Sequence, residues 1–134
     1  MTFTINTDGG ARNNPGPAGI GAVFVRDGQV LHELSEYIGE QTNNVAEYTA
    51  VIRALEICKE REWFEELSFR LDSRLVVEQV QGNWKIKEPT LKPLVLRVRE
   101  LAAFFPSVSF SHIPREENAR ADRLVNEAID KAGY

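Results

Sequence analysis

The periodicity of apolar residues changes near residue 43, and this change constrains the fold more than any other feature. Before it, the segments TFTINT, GIGAVFV and QVLHELSEYI have strand patterns, and the last two are joined by a hairpin signal at residues 26–28. From Asn43 to about Lys59, apolar residues recur at three- and four-residue steps, which predicts an amphipathic helix capped by Thr42 or Asn43. Three strands with tight links predict an antiparallel meander.

The rest of the chain alternates between strand and helix patterns. The segment LSFRL predicts a fourth strand that ends at Asp72, and SVSFSHI predicts a fifth. Between these strands, SRLVVEQVQ predicts a helix, GNWKIKEP a loop, and TLKPLVLRVRELAAFF a second helix, which Thr90 caps. After PREE, residues 118–131 predict a closing helix. Because strands reached through helices pair in parallel, the order β-β-β-α-β-α-α-β-α predicts an α/β fold. Its sheet is mixed and five-stranded, three strands antiparallel and two parallel, with helices against it.

Length and composition predict one domain, residues 1–134. The 43% hydrophobic and 27% charged residues are typical of a globular protein of this length. No stretch has the length of a membrane span and no apolar leader opens the chain, so we expect a cytoplasmic protein without a membrane partner. The single cysteine, Cys58, lies on the apolar side of a helix and predicts a core thiol. No feature specifies an oligomer, and we expect a monomer.

The net charge of −4 argues against nucleic-acid binding by bulk electrostatics, but the charge is unevenly spread. Between residues 82 and 99 only Glu88 opposes five basic residues, Lys85, Lys87, Lys92, Arg97 and Arg99. Such runs form solvated helix faces more often than binding sites. Whether this acidic protein has a local basic face is a question that the sequence leaves open.

Four acidic residues lie where strands end or helices begin. Asp8 and Asp72 follow the first and fourth strands, and ligands collect at the carboxyl ends of such strands. Glu47 and Asp122 lie in the first turns of the first and last long helices, beside apolar residues. Each alone has an ordinary explanation, as a turn residue or as a favourable partner of a helix N-terminus.

Together, the four acids favour a metal site. Like charges in one cleft repel one another, and a bound cation relieves the repulsion. Oxygen ligands without a Cys/His cluster favour Mg²⁺ or Mn²⁺ over zinc. Magnesium commonly also binds phosphate oxygens of a substrate, which indicates phosphoryl-transfer chemistry. Two ions roughly 3.5–4 Å apart can activate a water and stabilise a leaving oxygen.

Four segments, in their order and spacing, resemble type 1 ribonuclease H over essentially the whole chain: DGGARNNPGPAG, TNNVAEY, LDSRLVV and HIPREENARADRLVNEA. The resemblance matches the family's four metal-binding carboxylates to Asp8, Glu47, Asp72 and Asp122, with two Mg²⁺ or Mn²⁺ ions when substrate is bound. It implies endonucleolytic hydrolysis of the RNA strand of RNA–DNA hybrids, leaving 3′-hydroxyl and 5′-phosphate ends. The alternatives are a related nuclease that also cuts double-stranded RNA and a non-catalytic nucleic-acid-binding domain of the same fold.

The resemblance also implies a substrate surface along the minor groove of the hybrid, where 2′-hydroxyls are exposed: Gly9, Gly10, Asn14, Thr42, Asn43 and Asn44. The two glycines would remove side chains where the main chain comes close to the substrate. Asparagine amides can donate to and accept from a hydroxyl. Asn43 and Asn44 would contact the RNA side, and Asn14 and Thr42 the DNA side, with Thr42 at a phosphate. The capping role suits Thr42 at least as well.

The chain resembles the branch of the family that lacks a basic helical protrusion, because GNWKIKEPTLKPL passes directly from loop to helix. Lys85 and Lys87 could provide a reduced version of its grip on the DNA strand, while we expect Trp84 to be a packing residue. His112 matches the position of a family histidine that assists product or metal departure. A packed strand end fits His112 better, and Arg115, in the same loop, is the stronger candidate for the auxiliary role.

Overall fold

The computed structural model describes residues 2–134, and its element order is the predicted one. The strands are β1 Phe3–Ala11, β2 Gly16–Arg26, β3 Gln29–Gln41, β4 Glu66–Leu71 and β5 Ser107–His112. The helices are α1 Asn43–Glu60, α2 Arg74–Val80, α3 Lys92–Ala102 and α4 Ala119–Lys131. Short 3-10 turns, Pro89–Leu91 and Arg115–Asn118, precede α3 and α4.

The sheet has the strand order β3-β2-β1-β4-β5. β1 pairs antiparallel with β2 and β2 with β3, whereas β1 with β4 and β4 with β5 are parallel. This confirms the predicted α/β class and mixed sheet. Thr7 on β1 lies opposite Leu71 on β4. The residues that follow them, Asp8 and Asp72, therefore lie side by side at the carboxyl edge of the parallel strands.

The helices cover the two faces of the sheet unequally. One face carries the main core, in which apolar residues of β1, β2 and β4 pack with α1, α2 and α3. The other face receives α4, whose main chain lies directly on β2. A Cβ at Gly19 would lie 2.7 Å from the carbonyl oxygen of Val125, and one at Gly21 would lie 2.5 Å from that of Ala121. Glycine at these two positions therefore lets α4 lie close against β2, in which Gly21 pairs with Asp8 of β1.

Several local predictions are confirmed. The hairpin between β2 and β3 turns at Asp27 and Gly28, which both have positive φ, as a tight two-residue turn requires. Thr42 caps α1, and its hydroxyl accepts a hydrogen bond of 3.2 Å from the amide of Val45. Cys58 is buried in the core. Within residues 2–134, none of the helices combines the length and apolar character needed to span a bilayer.

The third helix differs from its prediction at both ends. Thr90 is not its cap: it lies inside the 3-10 turn, and α3 begins after Leu91, whose side chain makes no capping bond. The helix ends at Ala102 instead of continuing to Phe105. The amides of Phe104 and Phe105 then bond three residues back, as in the 3.1 Å bond from the amide of Phe105 to the carbonyl oxygen of Ala102. This tightening is expected before Pro106, because a following proline disfavours the α conformation.

Candidate active site

Three carboxylates meet at the carboxyl edge of the sheet. Asp8 lies near the end of β1, Asp72 follows β4, and Glu47 lies on the second turn of α1. One oxygen from each lies within 4.8 Å of the others. Asp8 and Glu47 are each only 8% exposed, and Asp72 is half-buried. The structure therefore brings together three of the four acids that the sequence predicts.

The fourth acid, Asp122, lies on the first turn of α4 and faces the same cavity. This cavity, which we call the acidic cleft, has a volume of about 520 Å³ and is lined by Asp8, Gly10, Asn43, Glu47, Asp72, Arg115 and Asp122, among others. Asp122 is not within the three-carboxylate group, but its negative charge reaches Asp8. All four acids therefore border one open cleft.

Burial and mutual repulsion disfavour the charged forms of the inner carboxylates. Burial first, and then the negative charges of Glu47 and Asp72, raise the pKa of Asp8 above neutrality. Burial also raises the pKa of Glu47, opposed by hydrogen bonds to its carboxylate from Asp8, the Gly9 amide and Ser73. Without a cation, the inner carboxylates therefore retain a proton at neutral pH. Such a cluster of oxygen donors fits a hard divalent cation such as Mg²⁺ or Mn²⁺.

Gly9 permits the close contact between β1 and α1. A Cβ at Gly9 would lie 2.3 Å from the carbonyl carbon and oxygen of Ala46, and the Gly9 amide donates a hydrogen bond to Oε1 of Glu47. The space left by its missing side chain is thus filled by α1, not left for the substrate as the sequence suggested. A Cβ at Gly10 would meet nothing closer than 3.9 Å, and Gly10 lines the acidic cleft.

The asparagines of the predicted substrate surface are partly used inside the protein. Oδ1 of Asn43 accepts a hydrogen bond of 2.8 Å from the amide of Ala11, and Oδ1 of Asn14 accepts one of 3.0 Å from the amide of Asn43. These bonds tie the turn after β1 to the start of α1. Each bond occupies one of the two acceptor positions of a side-chain oxygen, while the side-chain NH₂ groups remain available to a substrate as donors.

A second cavity lies beside the loop between α2 and α3. This lysine groove has a volume of about 570 Å³ and is lined by Asn44, Leu75, Gln79, Asn83, Trp84, Lys85, Lys87 and Glu88. Asn44 thus faces a different cavity from its neighbour Asn43. The packing role predicted for Trp84 is wrong, because the side chain is 43% exposed and its ring lies 5.8 Å from the guanidinium of Arg74. An exposed indole beside two lysines makes a surface suited to a nucleic-acid strand.

The structure separates the two candidates for the auxiliary role. Arg115 lies in the 3-10 turn before α4 and lines the acidic cleft. His112 ends β5 with an exposed side chain, so the packed strand end predicted for it is wrong. Of the residues that the structure describes, those lining the acidic cleft do not include His112. The geometry therefore favours Arg115.

Asn118 is a site residue that the sequence analysis did not identify. Its side chain is 1% exposed, donates a hydrogen bond of 2.8 Å to the carbonyl oxygen of Thr7 and accepts one of 3.3 Å from Asn6. An asparagine before a helix normally indicates a cap, but this side chain makes no capping bond. Instead it fastens the segment between Arg115 and α4 to β1, directly before Asp8.

Comparisons with a family model and with known proteins agree on the family to which the chain is related. Residues 6–128 match the family model described as Reverse transcriptase-like. The chain is 45% identical to Ribonuclease HI of Halobacterium salinarum, covering 93% of this chain and 63% of the relative. It is 38% identical to Ribonuclease H of Halorhodospira halophila, covering 93% and 91%. It is also 43% identical to the Bifunctional protein Rv2228c of Mycobacterium tuberculosis, but spans only 36% of that protein's length.

A solved structure extends the comparison to the fold. LC11-RNase H1, crystallised in complex with an RNA/DNA hybrid, is 54% identical to this chain and superimposes with a TM-score of 0.92. The match covers 98% of this chain and 99% of that protein. Sequence and sheet topology agree, and the chain belongs to the ribonuclease H family.

Proposed function

We propose that this protein is a metal-dependent endoribonuclease that hydrolyses the RNA strand of RNA–DNA hybrids, leaving 3′-hydroxyl and 5′-phosphate ends. The observation that carries the proposal is the group formed by Asp8, Glu47 and Asp72, whose oxygens approach within 4.8 Å at the base of an open cleft. The likeness to LC11-RNase H1, solved with an RNA/DNA hybrid, supports the substrate class.

Asp8, Glu47, Asp72 and Asp122 are the residues that would hold two Mg²⁺ or Mn²⁺ ions when substrate is bound. The three clustered carboxylates supply the hard oxygen donors that these ions prefer. Bound divalent ions supply activation of a water and stabilisation of the leaving oxygen in phosphodiester hydrolysis.

The protein's own groups prepare the site before any ligand arrives. The Gly9 amide holds Oε1 of Glu47, which fixes this carboxylate beside Asp8. Asn118 fixes the main chain at Thr7 and anchors the turn that carries Arg115. Arg115 contributes a permanent positive charge to the acidic cleft, suited to bind a phosphate oxygen of the scissile strand. The other arginine that lines the cleft, Arg12, is already paired with Asp130 at 2.8 Å.

Two surfaces would hold the duplex. Beside the acidic cleft, Gly10 leaves the main chain accessible. The side-chain amide of Asn43 donates to 2′-hydroxyls of the RNA strand, and that of Asn14 to the sugar–phosphate backbone of the DNA strand. In the lysine groove, Lys85 and Lys87 bind phosphates of the DNA strand. Thr42 already uses its hydroxyl as a cap acceptor, so a phosphate contact would use its O–H as donor.

We also propose that residues 1–134 act as a single catalytic domain. One continuous sheet includes all five strands, and both of its faces are covered by helices of the same chain. The substrate surfaces and the carboxylates all lie within this unit.

Cleavage of matched RNA–DNA, RNA–RNA and DNA–DNA duplexes with Mg²⁺ or Mn²⁺ tests the proposal. We expect cleavage of the RNA strand of the hybrid, with product ends identified by 3′- and 5′-specific labelling. Equal cleavage of RNA–RNA would support the broader nuclease, and binding of the hybrid without cleavage would support a non-catalytic domain.

Asp72→Asn separates chemistry from binding. We expect it to abolish cleavage while the protein still folds and binds the hybrid, because the binding surfaces lie elsewhere. The matched control is Asp27→Asn at the exposed hairpin turn, where asparagine tolerates the positive φ. If Asp72→Asn retains more than a few per cent of wild-type cleavage, Asp72 does not belong to the site.

A further inference from the structure

Gln79 lies at the base of the lysine groove, near the end of α2, with a side chain only 3% exposed. Both ends of its amide are bonded to other parts of the protein. Oε1 accepts a hydrogen bond of 2.7 Å from the hydroxyl of Tyr48, and Nε2 donates one of 3.2 Å to the carbonyl oxygen of Lys85. A buried glutamine with bonds in two directions acts as a bridge between α1 and the loop.

The α1 end of this bridge is rigid. Tyr48 is fully buried in the core and directly follows Glu47, one of the three clustered carboxylates. The bridge therefore starts from the same helical turn that positions a carboxylate of the acidic cleft.

The loop end of the bridge has few other attachments. The amides of Asn83 and Trp84 bond back to the carbonyl oxygen of Glu78, which secures only the start of the loop. In the described part of the chain, the bond from Gln79 is the only hydrogen bond that joins residues 85–88 to an element before the loop. Ile86 adds a half-buried apolar contact with the core.

We propose that Gln79 is a positioning residue for substrate binding. It holds the Lys85–Lys87 segment in the arrangement in which both lysines face the DNA strand of a hybrid bound in the lysine groove. This inference rests on the proposed function, since it assigns the groove to the hybrid. Because Gln79 is almost fully buried, it acts through Lys85 and not by touching the substrate. Its loss should weaken hybrid binding and leave the chemical step in the acidic cleft nearly intact.

The first test compares Gln79→Met with Gln81→Met. Both substitutions keep the side-chain length and remove amide hydrogen bonds. Gln81, however, donates to the carbonyl oxygen of Phe110 on β5, and its one bond with the loop, accepted from Asn83 at 3.4 Å, does not involve residues 85–88. For Gln79→Met we expect KM to rise about 3- to 10-fold, with kcat within about twofold of wild type. We expect the slope of log K against log salt to flatten by about one unit, as for one lost phosphate contact. Gln81→Met should leave KM and the slope unchanged.

A second variant covers the case in which Gln79→Met does not fold. Tyr48→Phe removes the other bond of Gln79, and Tyr48 is too deeply buried to reach a duplex. We expect a smaller rise in KM, about two- to fourfold, because the bond to Lys85 remains. A fall in kcat at unchanged KM in either variant overturns the proposal.

Lys85 and Lys87 must carry the effect if the proposal is right. In a Lys85→Ala, Lys87→Ala background, we expect Gln79→Met to change hybrid affinity less than about twofold, measured with the cleavage-deficient Asp72→Asn protein. The same fold-change with and without the lysines would overturn the proposal.

A readout without substrate distinguishes failure of this inference from failure of the proposed function. In a Trp63→Phe background, fluorescence quenching reports the accessibility of Trp84, which directly precedes Lys85. We expect Gln79→Met, but not Gln81→Met, to alter quenching of the free protein. Unchanged quenching overturns the positioning role whether or not the wild type cuts hybrids. If Gln79→Met alters the quenching but the wild-type protein binds no hybrid, the positioning role stands and the proposed function is refuted.

Discussion

Replacing Asp8 with asparagine should stabilise the metal-free protein at neutral pH while abolishing its activity. Asp8 is buried beside Glu47 and Asp72, and burial, followed by their charges, raises its pKa above neutrality. The folded protein therefore holds a proton at pH 7 that the unfolded chain, with an ordinary carboxyl pKa of 3.8, releases. Asparagine has a similar shape and needs no such proton.

The size of the effect follows from that proton. At 1.36 kcal/mol for each pH unit between 3.8 and 7, holding Asp8 neutral costs up to about 4 kcal/mol of folding free energy. Burying an amide whose hydrogen bonds are incompletely satisfied costs about 1–3 kcal/mol in return. We therefore expect a net gain of about 1–3 kcal/mol in the free energy of unfolding near pH 7.

The sign of the pH dependence is a sharper test than the magnitude. A carboxyl whose folded pKa is raised binds more protons in the folded state, so the contribution of Asp8 to wild-type stability falls as pH rises above about 4. The free energy of unfolding of Asp8→Asn should fall less over that interval, and the gain should vanish near pH 4. Below the unfolded pKa both states carry the proton, and the two proteins differ only in packing and hydrogen bonding.

Urea unfolding in EDTA, near pH 4 and near pH 7, measures this difference. Asp27→Asn is the matched control, and we expect its free energy of unfolding to change by less than about 0.5 kcal/mol at either pH. Added Mg²⁺ should stabilise the wild type more than Asp8→Asn, because metal binding needs the deprotonated carboxylate. If Asp8→Asn is no more stable than wild type near pH 7 in EDTA, then repulsion and desolvation of the Asp8 carboxylate do not outweigh the cost of burying the amide.

Three further outcomes are expected. Changing Lys85 and Lys87 together to alanine should flatten the slope of log K against log salt by about two units, and an unchanged slope would show that the loop does not reach a phosphate. Arg115→Ala should lower kcat more than His112→Ala when both are assayed on one hybrid across pH; a larger loss at His112, with a flatter profile near neutrality, would reverse this order. Burial raises the pKa of the Cys58 thiol to about 12, so thiol reagents should modify Cys58 only after unfolding, and rapid modification of the native protein would contradict its burial.

The sequence was sufficient for the mixed sheet and for the placement of Asp8 and Asp72 at the ends of strands. Apolar periodicity identified the strands, and the rules for hairpins and crossovers indicated which pair antiparallel and which in parallel. Both facts depend on local pattern and chain connectivity, which a single sequence contains. That β1 and β4 are neighbours, so that the two aspartates meet, is seen only in the structure. The residue assignments of the site also used the family resemblance, because spacing alone does not show that Glu47 and Asp122 converge.

Other features depend on distances between elements, which the sequence does not encode locally. Gly9 in DGG fits a substrate contact equally well until α1 is seen 2.3 Å from its absent Cβ. Asn118 has the sequence pattern of a helix cap, but it bonds to β1 across the fold. Trp84 is a large aromatic residue of the kind that usually packs in a core, but it is exposed because it lies in an irregular loop, whose course the sequence does not predict.

Because glycines of β2 contact the main chain of α4, substitutions on β2 should impair the site even at positions that no ligand touches. A Cβ at Gly21 would lie 2.5 Å from the carbonyl oxygen of Ala121, and ordinary contact requires about 3.4 Å, so α4 would have to retreat by nearly an ångström. Asp122 is the next residue and would move with it. In a library selected for activity, alanine at Gly21 should therefore be depleted together with substitutions of the carboxylates, although its methyl group would face only the back of a helix.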